Sequence, residues 1–175
     1  MSLILGIDPG SLKTGYALLA QHGRKLDVVK SGTIRLKASL DLASRLGRLA
    51  DEIDAILDAD RPDSVAVEDV FFHRNARSAL ALGQARGVIL AAAGRRDLPV
   101  ASYPPATVKQ AVCGHGRADK GQIQRMTQVM LSLDGQPQED EADAMAVAIC
   151  HALRQRGEAL RQAQGKMKRS RETGS

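Results

Sequence analysis

Aromatic side chains are scarce in this 175-residue chain: two Tyr, two Phe and no Trp, 2% of the whole. Antiparallel sandwiches and barrels fill their strands with such residues, so an all-β architecture is disfavoured. Cysteine is equally sparse, with only Cys113 and Cys150. That excludes a disulfide scaffold and fits a reducing cytoplasm. Neither Cys113 with His115 nor Cys150 with His151 has the C-x₂₋₄-C or H-x₃₋₅-H spacing of a structural zinc site. No run approaches the roughly 20 apolar residues of a transmembrane helix. The first apolar stretch lacks a basic start and breaks at Asp8, unlike a secretory leader. A cytoplasmic protein without a membrane partner is expected.

Uniform positive charge is missing too. The formal net charge is +5, yet from Arg154 onward stand seven basic and two acidic residues, which carry all of it. Residues 1–153 are neutral, and 154–175 read as a basic, mobile tail. Such a tail is ordinarily a solvated end; attraction to phosphate is the functional alternative. Internal repeats are absent, and the length suits one core rather than two.

What is present is a clear order of elements. Leu3–Asp8 reads as a buried strand ended by Pro9-Gly10, followed by strands over Gly15–Ala20 and Leu26–Ile34. Over 39–59, Leu42, Leu46, Leu49, Ile53 and Ile56 recur at helical spacing. Val65–Glu68 is a fourth strand and Leu98–Tyr103 a fifth, with a long helix from about Asn75 to Ala93 between them. A short helix after Pro105, one over Lys120–Leu131 and a buried one from about Asp140 to Leu153 complete the chain. The order βββαβαβααα predicts one α/β domain over 1–153 with a five-stranded mixed sheet flanked by helices. This order is similar to that of the ribonuclease-H-like fold.

Four acids stand out. Asp8 ends a buried strand, where a carboxylate is costly to desolvate, although Asp also commonly opens a turn. Glu68 ends the Val65-Ala66-Val67 strand, where Glu is depleted, although an edge residue facing solvent is an ordinary reading. Asp140 and Asp143 share one face in the first turn of the last helix, where acids also complement the helix dipole. Taken together they change meaning. If the first and fourth strands are neighbours, all four converge, and like charges that close require a cation. Oxygen donors without His or Cys select Mg²⁺, with Mn²⁺ as substitute. A pair of such ions suits phosphodiester hydrolysis.

Two further features are ambiguous on their own. Ala79, Gly83, Gly87 and Ala91 form a stripe of small residues on the long helix. Each mid-helix Gly costs about 1 kcal/mol relative to Ala, so close approach of another backbone is expected, from the chain's own sheet or from a dimer partner. Phe71 and Phe72 follow Glu68 closely, either filling the sheet edge or stacking on a base. Met126 and Met130 read as core.

Several motifs together resemble the RuvC family of Holliday-junction resolvases. They are Gly6-Ile7-Asp8-Pro9-Gly10-Ser11 with Thr14-Gly15, Val67-Glu68-Asp69-Val70-Phe71, the run from Asn75 to Gly87, Val108-Lys109-Gln110-Ala111-Val112, and Asp140-Glu141-Ala142-Asp143-Ala144 with Ala146–His151. The similarity spans about residues 2–153 in order. It implies a metal-dependent endonuclease that nicks two opposed strands of a four-way DNA junction as a homodimer, alongside the RuvA–RuvB branch-migration machine. It further implies that Asp8, Glu68, Asp140 and Asp143 are the catalytic acids, that Phe71 stacks near the junction centre, and that Lys109 and Lys120 contact DNA. Two positions depart from the family pattern. Asp69 stands where many relatives have Gln, and Leu12-Lys13 where an Arg is common. A non-catalytic junction-binding module would keep the fold without needing the acids. An actin-like nucleotide-binding protein would need a second lobe.

Overall fold

The computed structural model describes residues 1–69 and 76–172, with side chains described through residue 164. Ten elements follow the expected order: β1 (Ser2–Asp8), β2 (Lys13–His22), β3 (Lys25–Arg35), α1 (Leu42–Asp60), β4 (Ser64–Glu68), α2 (Ala76–Gly94), β5 (Val100–Tyr103), α3 (Pro105–Cys113), α4 (Lys120–Met130) and α5 (Glu139–Glu172). The five strands form one sheet in the order β3-β2-β1-β4-β5. β1, β2 and β3 are antiparallel neighbours, whereas β4 and β5 join in parallel. This is the mixed sheet that three sequential strands followed by helical crossovers require.

Period-two alternation divides the core. Leu5 and Ile7 of β1, Leu18 of β2, and Val65 and Val67 of β4 face α1 and α2. Ile4, Ala17, Leu19 and Ala66 point the other way, toward α3, α4 and α5. Met126 and Met130 pack at the edge of this second cluster, as core residues.

α1 begins at Asp41, whose carboxylate accepts from the Ser44 amide at 2.9 Å, and ends at Arg61 with φ 43°. Its Asp54 and Asp58 bind Arg95 and Arg96 just beyond α2, at 2.6–2.8 Å. The two outer helices are thereby fastened at one end.

Two differences from the sequence reading concern helices. The last helix does not stop near Leu153 but continues to Glu172. Residues 154–172 contain no proline and are rich in Arg, Gln, Ala, Glu and Lys, all good helix formers. The apolar period ends where the sheet ends, so the continuation leaves no burial signal, and residues 158–164 are exposed. The second difference concerns the small-residue stripe. α2 packs on its own sheet through Ala85, Ile89, Ala92 and Ala93 instead. Gly83, Gly87 and Ala91 are exposed, and a Cβ added at either glycine would meet nothing within 4 Å. The chain's own sheet is therefore not what the stripe accommodates.

At β3, the outer strand on one side, the pairing with β2 slips between Leu18 and Leu19. Leu18 faces Lys30 and Leu19 faces Val28, so Val29 is an extra residue, bulged and 55% exposed. No described helix is long and apolar enough to cross a membrane.

Candidate active site

The strand period brings the first two acids together. Asp8 follows Ile4 and Gly6 on the α5 side of β1, and Glu68 follows Ala66 on the same side of β4. β1 and β4 are paired in parallel up to Ile7 and Val67, so Asp8 and Glu68 are the next residues on adjacent strands. The two carboxyls stand close enough to perturb each other directly.

The helical pair arrives because two glycines make room. Asp8 is paired with Gly15 across β1 and β2. A Cβ on Gly15 would stand 1.9 Å from the Asp140 carbonyl oxygen. A Cβ on Gly6 would stand 2.3 Å from the Ala144 carbonyl oxygen and 2.8 Å from the Ala148 Cβ. Only glycine at these strand positions lets the α5 backbone approach so closely. The Asp8-Pro9-Gly10 turn is itself stapled by the Thr14 hydroxyl, which donates to the Gly10 carbonyl at 3.0 Å and accepts from the Gly10 amide at 3.2 Å.

The electrostatics are those of a crowded acid cluster. Burial, and then the charges of Glu68 and Asp143, push the Asp8 carboxyl from an ordinary 3.8 up to about 8. Burial also raises Glu68 and Asp143. Against this, Lys109 on α3 draws both Glu68 and Asp143 down, and Lys120 at the start of α4 draws Asp143 down more strongly. The two lysines flagged by resemblance therefore face the same acids from two further elements.

Each remaining acid nearby has its own partner. Glu139 pairs with Lys120. Glu141 accepts from the Ser31 hydroxyl of β3 at 2.5 Å, across the helix from that pair. Asp69, the departure beside Glu68, falls on the opposite face of β4 by alternation and meets Arg86 of α2 at 3.3 Å. Its charge is thus answered away from the cluster. Arg86, Ser31 and the packing glycines escaped the sequence reading. A glycine inside a strand is a signal for close backbone approach, and Gly6 and Gly15 carry it. Phe71 lies outside the described residues.

Four acids crowded on one face and offering only oxygen donors fit a hard divalent cation better than any other occupant. Among the described residues, no three His, Cys, Asp or Glu side chains stand close enough, as oriented, to ligate one ion.

The model of the family described as "Crossover junction endodeoxyribonuclease RuvC" matches residues 4–151. The chain belongs to the RuvC family. It is therefore a divalent-metal-dependent endodeoxyribonuclease with a ribonuclease-H-like fold. The RuvC crossover junction endodeoxyribonuclease of Halorhodospira halophila is 51% identical over 152 residues, covering 87% of this chain and 90% of that protein. That of Photobacterium profundum is 50% identical over 152 residues, covering 87% of each. Among solved structures, Thermus thermophilus RuvC in complex with a Holliday junction superposes with a TM-score of 0.84 at 33% identity, covering 90% of this chain and 97% of that one. The yeast mitochondrial resolvase Ydc2, at 15% identity and a TM-score of 0.61, shares the fold.

Proposed function

We propose that this RuvC-family chain resolves four-way DNA junctions with Asp8, Glu68, Asp140 and Asp143 as its metal ligands. The observation that carries this is the meeting of two strand-end acids and two first-turn acids on one face of the sheet. Mg²⁺ is the natural occupant by donor type, Mn²⁺ its substitute, and two ions per subunit match four carboxylates. Bound ions would activate water and offset charge on the leaving oxygen of a phosphodiester.

The protein's own contribution is placement. Asp8 and Glu68 would hold the ions from the strand ends, while Asp140 and Asp143 would complete the set from the helix end or orient the attacking water. Lys109 and Lys120, which act on the same acid cluster, are the candidate contacts to phosphates of the scissile strand, and Phe71, just past Glu68, is the candidate to stack on an unpaired base. Symmetric paired nicks require two centres related by a two-fold axis. The α2 stripe of Ala79, Gly83, Gly87 and Ala91, the last three exposed, with Leu80 65% exposed on the same helix, is the face proposed to pair two subunits. RuvA–RuvB is the proposed partner machine, and the cytoplasm the proposed location. Residues 154–175 are proposed as a basic appendage outside the nuclease domain, which ends near residue 153.

Incubation with a labelled mobile junction and with a linear duplex, each in Mg²⁺ and in EDTA, tests the reading. Paired symmetric nicks in the junction alone, dependent on Mg²⁺, are expected. Asp8→Asn is expected to bind the junction without cutting it; cleavage by that variant at the unsubstituted rate would refute the ligand assignment.

A further inference from the structure

His151 is a buried charge-bearing side chain in a helix that is otherwise apolar where it crosses the sheet. It is 6% exposed and two turns along α5 from Asp143. Its partners come from both parallel strands. The Tyr103 hydroxyl at the end of β5 lies 2.7 Å from Nδ1, with the two rings tilted and their centroids 5.8 Å apart. The Ser64 hydroxyl at the start of β4 lies 3.2 Å from Nε2, and the Gln155 amide nitrogen lies 2.9 Å from the same atom. Burial lowers the imidazole's affinity for a proton. Both ring nitrogens are engaged, Nδ1 by the Tyr103 hydroxyl and Nε2 by the Gln155 amide and the Ser64 hydroxyl.

Tyr103 has a second attachment. It is the β5 residue paired with Glu68, and its carbonyl accepts from the Asp69 amide at 2.8 Å. Paired residues on parallel strands share a face, so the Tyr103 side chain leaves the sheet on the side where Glu68 does. One residue therefore holds the end of β4 by its backbone and α5 by its hydroxyl.

We propose that Tyr103 and His151 are positioning residues that fix how far along β4 the helix α5 is seated, and thereby the separation of Glu68 from Asp140 and Asp143. The glycines at 6 and 15 set how closely the helix lies on the sheet. The buried length of the helix, Ala142, Ala144–Cys150 and Ala152, is apolar throughout. Apolar contact is non-directional and resists sliding weakly. A hydrogen bond to a buried imidazole is directional, and replacing its partner leaves a buried ring nitrogen unsatisfied. His151 lies about 12 Å along the helix axis from Asp143, a rigid lever of eight residues. Mg²⁺ tolerates little departure from its ~2.1 Å ligand distance, so a small axial shift is felt at the site.

The inference rests on the reading of Glu68, Asp140 and Asp143 as metal ligands, and the test separates the two. Mn²⁺ binding to the full-length protein is followed by electron paramagnetic resonance, alongside kcat and KM on a junction substrate and junction affinity in EDTA. Tyr103→Phe, which keeps the ring and removes one hydroxyl, is expected to weaken Mn²⁺ binding roughly ten-fold, the scale of losing a supporting contact to a metal ligand. A comparable fall in kcat with KM and junction affinity in EDTA unchanged is expected. His151→Asn, whose amide offers an acceptor near the Nδ1 position, should recover most of what His151→Phe loses. Mn²⁺ affinity within two-fold of the unsubstituted protein in Tyr103→Phe, whatever its melting temperature, would overturn the proposal and leave the network a stabiliser of the fold. Undiminished Mn²⁺ binding in Glu68→Gln would instead overturn the ligand assignment beneath it.

Discussion

Gly15 lies directly beneath Asp140: the Cβ that Gly15 lacks would stand 1.9 Å from the Asp140 carbonyl oxygen. The obstacle is backbone, not a flexible side chain, so the helix itself must move to admit a methyl group. Gly15→Ala is expected to cost about 1–3 kcal/mol of stability by overpacking. It should also cut cleavage roughly 10²-fold, because the helical acids ride on the displaced turn. Urea unfolding and single-turnover cleavage measure the two effects; unimpaired cleavage would show that the close approach does not position the acids.

The Asp8 carboxyl makes stability depend on pH in an unusual direction. Folded, it keeps its proton up to about 8, whereas its ordinary value is 3.8. Between those values the folded chain binds more protons than the unfolded one, so the contribution of Asp8 to stability falls as pH rises. Asp8→Asn cannot ionise. In EDTA at pH 8 it is expected to be more stable than the unsubstituted protein by about 1–3 kcal/mol, with the difference fading toward pH 4. Mg²⁺ should narrow the gap by stabilising only the unsubstituted protein. Equal stability of the two proteins at pH 8 in EDTA would contradict the crowding of charge around Asp8.

Lys120 is exposed and paired with Glu139 at the rim of the acid cluster. Removing one phosphate contact lowers the salt dependence of binding by about one unit. Lys120→Ala is therefore expected to weaken junction binding and flatten its dependence on salt by that amount, while Glu139→Gln should strengthen it. Filter binding or fluorescence anisotropy between 50 and 200 mM salt, a range over which phosphate contacts are strongly felt, makes the comparison. Opposite outcomes for the pair would remove Lys120 from the DNA face.

Gly83 offers a clean probe of association. A side chain there meets nothing within 4 Å in the single chain, so Gly83→Arg should leave the subunit folded. It is expected to give a monomer in sedimentation velocity with an unchanged circular dichroism spectrum and no paired nicking. A variant that stays dimeric would move the proposed seam away from this stripe.

Much of this arrangement is legible in the residues before any coordinates. Strand alternation puts Asp8 and Glu68 on one face, and helical spacing puts Asp140 beside Asp143. The remainder depends on what lies across space. Gly15 and Asp140 are far apart in sequence, and nothing local says which backbone a strand glycine will meet. Tyr103 and His151 each look like an ordinary buried residue until the β4–β5 register and the seat of α5 bring their polar atoms together. The continuation of α5 past Leu153 escaped detection because helix propensity without a buried face is a weak signal. Asp69 directly follows Glu68 in sequence, yet alternation turns it to the Arg86 side.

The bulge at Val29 bears on how copies of this protein can meet. A flat outer strand is an open template for another chain, and twisting, bulging and lysines are the usual defences. β3 has the bulge and the lysines, Lys25 and Lys30, with Lys30 engaged by Asp60 at 3.0 Å. Sheet-to-sheet joining is thus discouraged on that side. Contact between copies is left to the helical faces, where it can be specific, reversible and two-fold rather than fibrous.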